Sequence, residues 1–88
     1  DLHIKDIVKE LGRIDEIKNI HHIHVWQLNE KETHFEAHVD FKNDIKLSDF
    51  DLVLNKMEVI LLQKFQINHV NIQPEFGKPD SKEVIVQD

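Results

Sequence analysis

The segment NIHHIHVWQLNE, residues 19–30, holds His21, His22 and His24, and HFEAHVDF, residues 34–41, adds His34 and His38. Further on, NHVNIQPE, residues 68–75, carries His69 and Glu75. Imidazole and carboxylate are good ligands for zinc and its neighbours in the transition series, and zinc usually takes four ligands in a tetrahedron. The chain contains no cysteine. That excludes disulfides, thiolate metal sites and thiol catalysis, so a metal site here must be built from His, Asp and Glu. Which of these residues converge depends on the strands that carry them.

The 88 residues make one small domain, 40% hydrophobic and 32% charged, an ordinary globular balance. A domain of this size is marginal on its own and gains from a metal or a second copy. Residues 2–11 carry Ile4, Ile7, Val8 and Leu11 at amphipathic-helix spacing, with Gly12 after them. Residues 20–28 and 33–41 read as two strands, joined by a short polar turn as a hairpin. In the second, Phe35, Ala37, Val39 and Phe41 alternate with His34, Glu36, His38 and Asp40. Ser48 reads as the N-cap of a helix over residues 49–65, whose stripe is Phe50, Val53, Met57, Ile60, Leu61 and Phe65. Residues 66–75 read as a third strand with Val70 and Ile72 inward, and Pro74 marks its end or an edge. The order αββαβ predicts an α+β domain, a three-stranded sheet with two helices on one face. Residues 1–76 form that domain and residues 77–88 a flexible tail.

The hairpin register decides the site. A two-residue turn at Glu30 and Lys31 sets Asn29 against Glu32 and His38 against Ile23. Trp26 and Leu28 then join Phe35 and Phe41 inside, and His21, Ile23, Val25, His34 and His38 lie outside. His21 and His38 become diagonal neighbours ~7–8 Å apart, within reach of one metal. A three-residue turn sets His24 against His38 and puts Trp26 and Leu28 outside. The first register is preferred because it builds the better core, and a one-residue slip inverts the whole apolar set. His69 and Glu75 share the outer face if the third strand joins the sheet. The candidate ligands are therefore His21, His38, Glu75, His69 and His24.

The net charge of −6 argues against nucleic acid, which needs a basic face, and is compatible with attracting cations. The two glycines, Gly12 and Gly77, leave no phosphate-cradling loop, and neither Ser48 nor Ser81 sits in a nucleophile elbow, so enzyme chemistry is not expected. No apolar run reaches the ~20 residues of a membrane helix. The chain begins at Asp1 rather than Met, and a membrane portion could lie outside it.

LGRIDEIKNIHHIHVWQL, HFEAHVDF and FQINHVNIQPE, in that order, resemble the cytoplasmic C-terminal domain of cation diffusion facilitator transporters, from about Ile4 to Glu75. The resemblance implies a ferredoxin-like, metallochaperone-like αββαβ fold that forms a homodimer. It implies Zn²⁺ or a related divalent metal bound at the dimer, on His21, His38 and Glu75. It also implies coupling of that binding to the movement of two arms, on the cytoplasmic side of a membrane. Its partner would be the transmembrane domain of a parent transporter that exports the metal by proton exchange. Gln73 stands where two-metal members have a histidine, so one metal is expected, with His69 available in its place.

The expected function is a metal-sensing, dimeric regulatory domain of a divalent-cation efflux transporter. Metal affinity should rise with pH through about 6–7, where ordinary imidazoles lose their protons. Two rivals are a metal-independent dimerisation module, associating through Ile23 and Val25, and a ferredoxin-like domain that binds a small molecule.

Overall fold

The protein is described from a computed structural model, which describes residues 4–79 and 82–84. The elements are α1 (Ile4–Leu11), β1 (Ile17–Asn29), β2 (Glu32–Phe41), α2 (Leu47–Phe65) and β3 (His69–Glu75), the expected order. The expected start of the first helix before residue 4 lies outside the described residues. The sheet order is β1-β2-β3, with β1 antiparallel and β3 parallel to β2. A parallel neighbour requires a crossover, which α2 provides. Pro74 is tolerated because β3 is an edge strand.

One face of the sheet is covered by the helices. Ile7 and Leu11 of α1 and Val53, Met57 and Leu61 of α2 are buried with Phe35, Ala37, Val39 and Phe41 of β2. Phe50, Ile60, Phe65, Val70 and Ile72 pack around this core. The period-2 reading of β2 and the helical stripe of α2 thus hold. Each fully buried Leu, Ile, Met or Phe contributes roughly 1.5–3 kcal/mol. Lys64 of α2 also bonds Glu10 of α1. That hydrogen bond, with the charges of Arg13, Lys64 and Lys9, holds the Glu10 carboxyl below its ordinary range, against an opposing effect of burial.

Two local expectations are corrected. The N-cap of α2 is Lys46, without a side-chain cap bond, and Ser48 lies inside the first turn. Leu47 is already helical, and the cap lies two residues before Ser48. β1 also begins earlier than residue 20, because Ile17 pairs with Phe41.

The larger correction concerns register. The turn has the expected two residues, with Asn29 paired to Glu32. However, the ladder shifts between Gln27 and Asn29, between His21 and His24, and between Ile17 and Asn19. Each shift inserts one residue on β1 and inverts its alternation, as β-bulges do. The inward set of β1 therefore becomes Ile17, Ile20, Ile23 and Val25, at spacings no period-2 reading finds. Ile23 and Val25 face the core and not the outer surface. Trp26 and Leu28, expected inside, are 43% and 64% exposed. His38 faces His21 directly, in place of Ile23.

The second bulge carries His22 at φ 52, the left-handed region where non-glycine residues are uncommon and histidine is among the more tolerated. The N–H groups of His22 and Ile23 are bonded to the carbonyls of Glu83 (2.9 Å) and Val84 (2.6 Å). Glu83 and Val84 thus lie along the outer edge of β1. Residues 80, 81 and 85–88 lie outside the described residues.

Candidate metal centre

The outer sheet face gathers the acidic and imidazole groups at the end where β1 starts and β2 and β3 finish. Residues His21, His38 and Asp40 arrive there by the pairings His21↔His38 and Asn19↔Asp40, and Glu75 by the pairing Asp40↔Glu75. His21, Asp40 and Glu75 are all buried.

Glu75 stands between the two histidines. Its Oε1 is 3.2 Å from His21 Nε2 and its Oε2 is 2.7 Å from His38 Nδ1. The opposite nitrogen of His21, Nδ1, faces two oxygens, Asn19 Oδ1 at 3.1 Å and Asp40 Oδ2 at 3.4 Å. Acceptor oxygens thus face both ring nitrogens of His21, and a metal taken on Nε2 would leave the proton on Nδ1, toward Asn19 and Asp40. Ligating histidines are commonly oriented in this way by a carboxylate on the far nitrogen. Gln73 donates from Nε2 to Glu75 Oε2 at 3.0 Å and fixes the carboxylate.

The buried carboxylates are met by cations. Lys82 Nζ lies 3.0 Å from Asp40 Oδ2 and 3.7 Å from Glu75 Oε1, and Lys78 Nζ lies 3.8 Å from Glu75 Oε2. Gly77, at φ 65, turns the chain after β3 so that these lysines follow closely. Burying two anions is expensive unless a cation accompanies them. The site is therefore built for positive charge.

The structure brings His21, His38 and Glu75 together. It adds Asp40, which the sequence presented only as one polar residue at a strand end. It also adds His22, whose ring stacks on that of His38 at 4.5 Å. The ligating nitrogens of His21, His22 and His38 come within 4.8 Å of one another, as do the ligating atoms of His21, Asp40 and Glu75. The alternation of β2 placed Asp40 beside His38 on one face and could have flagged it. Nothing in the sequence signalled the bulge at His22. His24 is exposed and pairs with Glu36, and His69 pairs with His34 further along the sheet, so neither joins this group. Among the described residues, no helix is long and apolar enough to cross a membrane.

A three-stranded α+β domain thus carries, on the sheet face away from its helices, a cluster of buried imidazole and carboxylate groups whose donor atoms suit a divalent metal. The family model for the cation efflux protein cytoplasmic domain matches residues 1–76, and the chain belongs to that family. It is 34% identical over 76 residues to the zinc transporter ZitB of Escherichia coli (strain K12), covering 85% of this chain and 23% of that protein. It is 36% identical over 67 residues to ZitB of Pectobacterium atrosepticum, covering 76% of this chain and 20% of that protein. The chain thus spans about a fifth to a quarter of these curated relatives. Among solved structures, the metal-bound C-terminal domain of the CzcD transporter from Cupriavidus metallidurans superimposes with a TM-score of 0.72 at 26% identity. That match covers 84% of this chain and 99% of the other.

Proposed function

We propose that this domain binds one Zn²⁺-class divalent ion through His21 Nε2, His38 Nδ1 and Glu75, with Asp40 orienting His21. As the cytoplasmic part of a zinc-type cation efflux transporter, it uses that ion to regulate the transporter. The observation that carries this reading is the buried Glu75 carboxylate held between two imidazoles, 3.2 Å and 2.7 Å away. A tetrahedral zinc with bonds of about 2.0–2.1 Å sets neighbouring ligand atoms about 3.4 Å apart. The His21 spacing is already close to this value, and the His38 contact opens by some tenths of an ångström when the metal replaces the proton. Water fills the remaining position. The metal-bound relative and the zinc transporters among the matched proteins support the choice of ion.

The domain acts as a homodimer, and its regulation follows from linkage. A metal shifts an equilibrium between two subunit arrangements only by its differential affinity for them. The cluster lies on a sheet face that no described helix covers, where a second copy can sense its charge. Small-angle scattering of the dimer with and without Zn²⁺ tests the coupling. The expected result is a more compact dimer with zinc, and no change in His38→Ala. An identical scattering profile in both states would leave a dimerisation module that binds metal without responding to it.

A further inference from the structure

The opposite end of the same sheet face carries a second convergence of ligands. His34 of β2 pairs with His69 of β3, and their rings stack 4.3 Å apart at an interplanar angle of 8°. Glu32 Oε2 lies 3.6 Å from His34 Nε2 and 3.6 Å from His69 Nε2. The three ligating atoms all fall within 4.8 Å of one another. His34 Nε2 is buried and makes no hydrogen bond among the described residues. A buried nitrogen in that condition costs free energy that a ligand would recover.

The cluster is held by the fold. Asn68 accepts a hydrogen bond from the Thr33 N–H at 3.0 Å and donates to the Lys31 carbonyl at 2.6 Å. Its own N–H reaches the Thr33 carbonyl at 3.2 Å. Asn68 therefore fastens the hairpin end, which bears Glu32 and His34, to the first residue of β3, which is His69. On the other side Trp26, left outside by the bulge at Leu28, stacks on His34 at 5.0 Å and 13°. His34 is thus fixed between two rings.

We infer that Glu32, His34 and His69 form a second divalent-cation site, separate from the centre at His21. Its ligands are two imidazole nitrogens and one carboxylate oxygen, a set suited to Zn²⁺ or Cu²⁺ and unsuited to Ca²⁺ or Mg²⁺. The 3.6 Å nitrogen–oxygen spacings lie within a few tenths of an ångström of the about 3.4 Å that a tetrahedral metal sets. The site is half-open, with His69 exposed, so water completes the coordination. Glu32 is partly exposed and Glu75 is buried, so solvent screens the Glu32 charge and this site binds more weakly than the centre at Glu75.

Trp26 is the only tryptophan of the chain, and its position against His34 makes it the reporter. The test is quenching of its fluorescence by Cu²⁺ in the 88-residue chain and in the variants His69→Gln, Glu32→Gln and Glu75→Gln. His69 is exposed, so its substitution leaves the core intact. In His69→Gln and Glu32→Gln the half-quenching concentration should rise by about tenfold or more, the scale of losing a ligand or its support. In Glu75→Gln it should stay at the parent value, which separates this site from the first. Parent-like quenching in His69→Gln overturns the proposal, as does quenching lost in Glu75→Gln alone. The first result leaves the Trp26–His34–His69 stack as a packing ladder with a solvated acid beside it.

Discussion

His21 Nε2 lies 3.2 Å from Glu75 Oε1, and both side chains are buried. The first residue belongs to β1 and the second to the end of β3, so the contact spans the sheet across β2. Neither strand alone contains a site, and the pair exists only when β3 has docked parallel to β2. A metal held there would stabilise the folded, fully assembled sheet. At a free metal concentration 100 times Kd the gain is about 2.7 kcal/mol.

The bulged register of β1 makes a sharp distinction between two of its apolar residues. Ile23 is buried, and Leu28 is exposed. Ile23→Ala should cost about 2–5 kcal/mol, whereas Leu28→Ala should stay within about 0.5 kcal/mol. Urea unfolding of the two variants measures both. The unbulged register would predict the reverse order.

Lys82 Nζ lies 3.0 Å from Asp40 Oδ2 and 3.7 Å from Glu75 Oε1, so its ammonium stands beside an oxygen that a metal would take. Zinc must compete with it. Lys82→Met should therefore bind Zn²⁺ about three- to tenfold more tightly, the ~1 kcal/mol scale of a partly exposed ion pair. The same substitution should lower the melting temperature of the metal-free chain, because the buried carboxylates lose a counter-ion. Weaker zinc binding in Lys82→Met would mean that the lysine holds the site open.

The link between the helices sets a pH dependence at the acid end. The Lys64 hydrogen bond holds the folded Glu10 carboxyl below its ordinary 4.5. A depressed carboxylate contributes stability that is present above the unfolded pKa and lost as pH falls through the folded value. The stability gap between the parent and Lys64→Met should therefore narrow on going from about pH 6 to about pH 3. Denaturant midpoints at the two pH values check this, and a gap that widens on acidification would contradict it.

Much of this fold was legible in the residues. β2 alternates cleanly because one face meets the helices and the other does not. The stripe from Phe50 to Phe65 is helical because every member meets the core. β1 was legible as a strand but not in register. Its inward residues, Ile17, Ile20, Ile23 and Val25, follow three bulges, and a bulge is a backbone event with no fixed residue signature. That is why Trp26 and Leu28 were placed inside and why His22 was not anticipated beside His38. His21 and His38 still share a face, now directly opposed and not diagonal, since two of the inserted residues lie between the turn and His21 and together restore its face. Asp40 was visible on the right face but lacked a partner until Asn19 and β3 fixed its neighbours. The approach of Lys82 depends on a turn at Gly77 and on bonds from the tail to β1, which no periodicity encodes.

The most direct test of the central claim is a calorimetric titration of the metal-stripped chain with Zn²⁺ at about pH 7.5, where ordinary imidazoles are neutral, beside Glu75→Gln. Gln keeps the shape of the side chain and removes the charge that lies between the two histidines. The parent should take one high-affinity ion per chain, and the variant should lose about 10–100-fold in affinity at that step. Indistinguishable titrations of parent and variant would show that zinc, if bound, is held elsewhere, and that the buried acid serves the fold alone.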